Sequence, residues 1–83
     1  MSTTPRFDMP EWDGRPREAG EVWRLRKGSW KAACTLWTHP IGAEVRVSVE
    51  GELLRCQAGR DRVALIDLGR VWNQRFVQKG WTR

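Results

Sequence analysis

The chain has 83 residues, a formal net charge of +5 and six tryptophans. That length holds one small domain and excludes a second domain or a deep inter-domain cleft. Two cysteines exclude a disulfide scaffold, no apolar run reaches membrane-spanning length, and no basic start followed by an apolar run marks a secretory signal, so a cytoplasmic, membrane-independent protein is expected.

Residues 1–20 hold three of the four prolines (Pro5, Pro10, Pro16) and show neither helical nor strand period. They are expected to form a flexible N-terminal arm with Phe7, Met9 and Trp12 as apolar anchors, followed by a single domain over 21–83. The arm carries three arginines against four acids, which leaves +6 for the remainder. A basic folded part favours anionic partners, such as nucleic acid or an acidic protein surface.

From Glu21 the pattern turns to period two. "VWRLRKGSWKAACTLW" reads as a hairpin turning at Gly28-Ser29, which sets Leu25 opposite Ala32 and Trp23 opposite Cys34. A four-residue loop, His39 to Gly42, then sets Leu36 against Val45 and Cys34 against Val47. "AEVRVSVEGELLRCQ" makes a second hairpin about Glu50-Gly51, with Val49 facing Glu52, Val47 facing Leu54 and Val45 facing Cys56. All three turns agree on one buried face, which predicts a four-stranded antiparallel meander. The last hairpin contains a conflict: one-to-one pairing puts Arg46 directly opposite Arg55, and like charges across a sheet are unfavourable.

After Gly59 the period becomes helical. Asp61 fits an N-cap, Leu65, Leu68, Trp72 and Phe76 form one stripe, and Gly80 with Lys79 fits the C-terminal end. Gly69 is the weak point, costing about 1 kcal/mol against alanine, and leaves open a kink there or a fifth strand over Val63 to Leu68. The expected fold class is α+β (ββββα), with the helix packed on one face against Trp23, Leu25, Cys34, Leu36, Val45, Val47, Leu54 and Cys56. Both cysteines are then core residues, separated by an intervening strand and too distant for a disulfide.

The run "WTHPIGAEVRVSVEGELLRCQ" with a helix ending "KGW" resembles a loose group of short uncharacterised bacterial proteins, over roughly Trp23 to Trp81. The resemblance implies a bacterial or phage source and no particular activity.

On the open sheet face this register gathers Arg24, Arg26, Lys31, Arg46 and Arg55, with Trp37 towards the far end beside Glu44 and Gln57. Cations around an aromatic ring can hold single-stranded nucleic acid, the charges on phosphates and the ring on a base. Trp12, Trp37, His39 and Trp81 are candidate protein contacts, because tryptophan is enriched at interface hot spots. Lone His39 has no acidic or cysteine neighbour in sequence to complete a metal site, and no phosphate-cradling glycine loop, carboxylate pair or activated nucleophile is legible. The expectation is a small protein without catalysis, cofactor or metal. Its first reading is a protein-interaction or homodimerisation module, whose partner is another protein or a second copy. Alternatives are a nucleic-acid binder using the basic sheet face, and an inhibitor or accessory protein of a phage or mobile element acting on a larger nucleic-acid machine.

Overall fold

The computed structural model of the chain describes residues 16–40 and 42–83. Four antiparallel strands, β1 (Arg17–Lys27), β2 (Trp30–His39), β3 (Gly42–Val49) and β4 (Glu52–Gly59), form one sheet in the order β1-β2-β3-β4, and a single helix, α1 (Arg62–Gln78), follows. This is the expected ββββα architecture. The first strand begins at Arg17, so residues 17–20, assigned from sequence to the arm, belong to the sheet. Trp12 and the other anchors of the arm lie outside the described residues.

Turn chemistry explains most of the register. Gly28 sits at φ 60°, Glu50 at φ 52° and Gly51 at φ 82°. Two successive positive φ values define the primed hairpin turn whose twist matches that of the strands. Glu50 accepts this conformation with compensation: its amide donates to Lys31 O (2.8 Å) and its carboxylate accepts from Lys31 N (2.7 Å). Leu25 faces Ala32, Trp23 faces Cys34, Leu36 faces Val45 and Cys34 faces Val47, as alternation predicts. The β2–β3 connection is tighter than the expected four-residue loop, since His39 and Gly42 are themselves paired.

One pairing departs from alternation. Val49 faces Glu52 and Ser48 faces Leu53, but the register then shifts, and Val47 faces Arg55 while Arg46 faces Cys56. Leu54 is thus the extra residue of a β-bulge, and beyond it every side chain of β4 changes face. The predicted Arg46/Arg55 opposition does not occur. Arg55 moves to the helix side, where its guanidinium lies 5.3 Å from the Trp72 ring centroid, and Cys56 takes its place on the open face.

The helix is continuous through Gly69, without the kink or fifth strand that the glycine left open. Asp61 caps its start, accepting from Val63 N (3.0 Å) and Ala64 N (3.2 Å). Gly69 is a contact point: a Cβ there would lie 3.2 Å from Cys34 Sγ and 3.5 Å from a Val22 methyl group, and its carbonyl accepts from Trp23 Nε1 (2.7 Å). The helix therefore lies close against the sheet at this residue. The core comprises Cys34, Leu36, Ala43, Val45, Val47, Leu65 and Trp72, with Leu68 and Phe76 of the predicted stripe packed half-buried beside it. Burial alternates along β2 and β3, whereas all eight residues of β4 are exposed.

Candidate functional site

The open face splits into two unlike regions. At one end, Glu44 is a hub: its Oε1 accepts from Arg46 Nε (2.8 Å) and stands 3.2 Å from His39 Nε2. Arg46 also lies 4.3 Å over the Trp37 ring, whose Nε1 donates to Thr35 Oγ1 (2.8 Å). Trp37 and Arg46, predicted as a free stacking ring and a free cation, are instead half-buried and satisfied by one another and by Glu44. His39, expected at a loop tip, ends β2 and turns into the same cluster.

At the other end, Arg24, Arg26, Lys31 and the C-terminal Arg83 line one shallow depression of about 340 Å³. Arg24 pairs with Glu21 (2.7 Å). Three of the six predicted anion contacts therefore remain as an exposed group, two are absorbed into the Glu44 cluster, and Arg55 is on the opposite side of the sheet.

Cys56, expected in the core, is exposed, and Cys34 is buried. Desolvation pushes the Cys34 thiol up to about 12. The Cys56 thiol is also held above its ordinary value, mainly by its hydrogen bond to the Glu44 carboxylate. Burial would raise the Glu44 carboxyl, but hydrogen bonds from Cys56, Arg46 and His39 outweigh it and hold the group below its usual 4.5. Among the described residues no group of three His, Cys, Asp or Glu side chains is placed to hold a metal ion, and no helix is long and apolar enough to cross a membrane.

Two results follow from the Glu44 cluster. A thiol reagent should modify Cys56 alone in the folded protein and reach Cys34 only after denaturation; rapid labelling of both in native buffer would contradict the burial. Because the Glu44 carboxyl is depressed on folding, its contribution to stability is present above 4.5 and is lost as pH falls through the lower folded value. Glu44→Gln should lower the urea midpoint at neutral pH and narrow the gap to wild type below 4.5, whereas a constant gap would mean that the charge is not the stabilising element.

The opposite side of the sheet holds a feature that composition did not reveal. Between β4 and the last turns of α1 runs a groove of about 480 Å³ whose cations are Arg55, Arg75 and Lys79 and whose aromatic walls are Trp72, Phe76 and Trp81. Among the described residues no carboxylate lines it. Trp81, predicted as a free contact, is half-buried edge-on to Phe76, with ring centroids 5.3 Å apart. Leu54, expected on the buried face opposite Val47, is instead the bulged residue, lines this groove and is 60% exposed, while its neighbour Leu53 is 56% exposed. Trp30, which sequence reasoning passed over, is 58% exposed at the start of β2.

The two sheet edges also differ. The outer edge of β1 is interrupted by two register shifts and is bridged at Arg26 by Thr82, with Arg26 N to Thr82 O at 2.6 Å and Thr82 N to Arg26 O at 2.8 Å. Among the described residues no strand pairs with the outer edge of β4.

Among the described residues the fold and surface together define a two-layer α+β domain with one blunted and one open sheet edge, the open one flanked by a basic aromatic groove. No protein-family model matches the chain, and no curated protein or solved structure is significantly similar to it. The functional reading therefore rests on the chain's own geometry.

Proposed function

We propose that this protein is a non-catalytic protein-interaction module that takes an extended polypeptide segment along the outer edge of β4 as a fifth strand. The observation that carries the reading is the asymmetry of the edges: β1 is protected by bulges, charge and the Thr82 bridge, while among the described residues β4 presents an unpaired edge with Leu53 and Leu54 exposed beside it. An unpaired strand edge offers backbone donors and acceptors to an incoming chain, and neighbouring pockets select its side chains. The Glu44 cluster ties its groups to one another, and both thiols sit above their ordinary value, Cys34 through burial and Cys56 through its hydrogen bond to the Glu44 carboxylate.

Backbone amide exchange on the full chain tests this assignment. Saturation with a protein retained from cell extract should slow exchange across residues 52–59 and leave Arg24 to Lys31 unchanged, and Leu53→Lys should remove both the protection and the complex. Protection confined to the open face would overturn it.

A nucleic-acid reading is favoured by one observation, the depression lined by Arg24, Arg26, Lys31 and Arg83. It requires binding to short single-stranded oligonucleotides that falls steeply with salt and is lost in Arg26→Glu with Lys31→Glu. Binding that survives this double change would dismiss the open face as the site.

A further inference from the structure

The groove beside β4 has a chemistry that specifies its occupant. Among the described residues three cations, Arg55, Arg75 and Lys79, and no carboxylate line it, so a segment lying there must be acidic. Its remaining surface is aromatic edge and the exposed Leu54, so the segment must also carry apolar anchors. Such a segment stands in this chain: residues 7–13 read "FDMPEWD", with Asp8, Glu11 and Asp13, no base, and Phe7, Met9 and Trp12 between them.

Reach decides which copy supplies it. Arg17 pairs with Thr38 at one end of the sheet, while Val49, a groove residue, pairs with Ala32 six positions further along β2. Six residues of strand cover about 20 Å and the two strand spacings from β1 to β3 add about 10 Å sideways, so Val49 is about 22 Å from Arg17; the nearer groove residue Arg55, level with Cys34 and three spacings across, is about 19 Å away. Trp12 precedes Arg17 by five residues, which span at most about 18 Å. The backbone of Trp12 and Asp13 falls short of the groove in their own chain, so segment 7–13 cannot seat there whole. A second molecule has no such restriction.

We infer that the groove between β4 and α1 docks the acidic, aromatic segment 7–13 of a second copy of this chain, and that two molecules exchange these segments reciprocally. The inference rests on the protein-interaction reading and names its partner. Reciprocal exchange closes the assembly at two copies, because each groove and each arm is used once.

Charge reversal in trans tests it on the full chain by sedimentation. Wild type should form a dimer that weakens with salt. Arg75→Glu with Lys79→Glu, and separately Asp8→Lys with Asp13→Lys, should each weaken self-association about a hundredfold, because like charges then meet at both docking sites. An equimolar mixture of the two variants should restore a heterodimer, since each arm then meets a groove of opposite sign. Circular dichroism on each variant separates loss of docking from loss of folding. A wild type that stays monomeric into the millimolar range, or a mixture that stays monomeric while both variants are folded, overturns the inference. Should both reversals leave the dimer intact while Leu53→Lys dissolves it, the β4 edge stands as the interface and the arm is not its ligand. Salt-sensitive binding of an oligonucleotide, lost on reversing Arg75 and Lys79 in a monomeric wild type, would reassign the groove to nucleic acid.

Discussion

Trp72→Ala should destabilise the domain by about 3–5 kcal/mol, the range for removing a large buried aromatic side chain. Trp72 is 6% exposed and is the largest side chain that α1 inserts into the core, touching the cluster built on Val45, Val47 and Cys34. A small domain has a stability of about 5–15 kcal/mol in total, so the variant would lose a large share of it. The melting temperature should fall by roughly 15–30 °C. The effect has a second component: the ring is also the surface on which Arg55 rests, at 5.3 Å, so its loss removes the main partner of the residue that the bulge delivers to this side. Trp72→Phe should recover most of the stability, because a ring remains. A melting temperature within a few degrees of wild type for Trp72→Ala would mean that the helix does not pack as described.

Gly42→Ala should cost about 1–3 kcal/mol through forced overpacking, although it adds only a methyl group. A Cβ at Gly42 would fall inside contact distance of the Gly59 carbonyl oxygen and lie 3.2 Å from the Gly59 carbonyl carbon. These are backbone atoms of the adjacent strand and cannot rotate away. The structure must therefore separate the start of β3 from the end of β4, where Ala43 pairs with Gly59. Amide exchange should accelerate at residues 57–59 well before the rest of the sheet, with a lowered denaturation midpoint. By contrast, Gly20→Ala, where a Cβ meets nothing within 4 Å, should be close to neutral. Equal behaviour of the two variants would refute the close approach.

Much of the fold was legible in local sequence. Period-two alternation, the Gly28-Ser29 and Glu50-Gly51 turns and the Asp61 cap specified four strands, their order and one helix, because each depends on residues within one turn or one strand pair. The pairing of β1 with β2 around Leu25 and Trp23, and of β2 with β3, was readable for the same reason: tight turns set register, and register sets face.

The candidate site was less legible, because it depends on one residue of slip. Alternation through "ELLRC" assigns Arg55 to the open face and Cys56 to the core, and both assignments reverse at the Leu54 bulge. The unfavourable Arg46/Arg55 opposition was the only local sign of it. What makes the reversal stable lies far away in sequence: the Trp72 ring receives Arg55, and Glu44, already paired with Arg46 and His39, receives the Cys56 thiol. The same holds for Trp37, whose partner Glu44 was predicted but whose ring is taken up by Arg46, and for Gln57, expected beside that ring and sent by the bulge opposite Val45.

By itself, then, the sequence determined the number, order and pairing of the elements, since turn and alternation energies act between near neighbours. Only the tertiary structure decided which side of β4 carries the cation, which sheet edge is closed by Thr82, and that the residues of β4 stay exposed beside a basic groove. Those outcomes turn on where α1 comes to rest, at the close contact of Gly69 with Cys34 and Val22, and that position is a sum over packing contacts between residues dozens of positions apart.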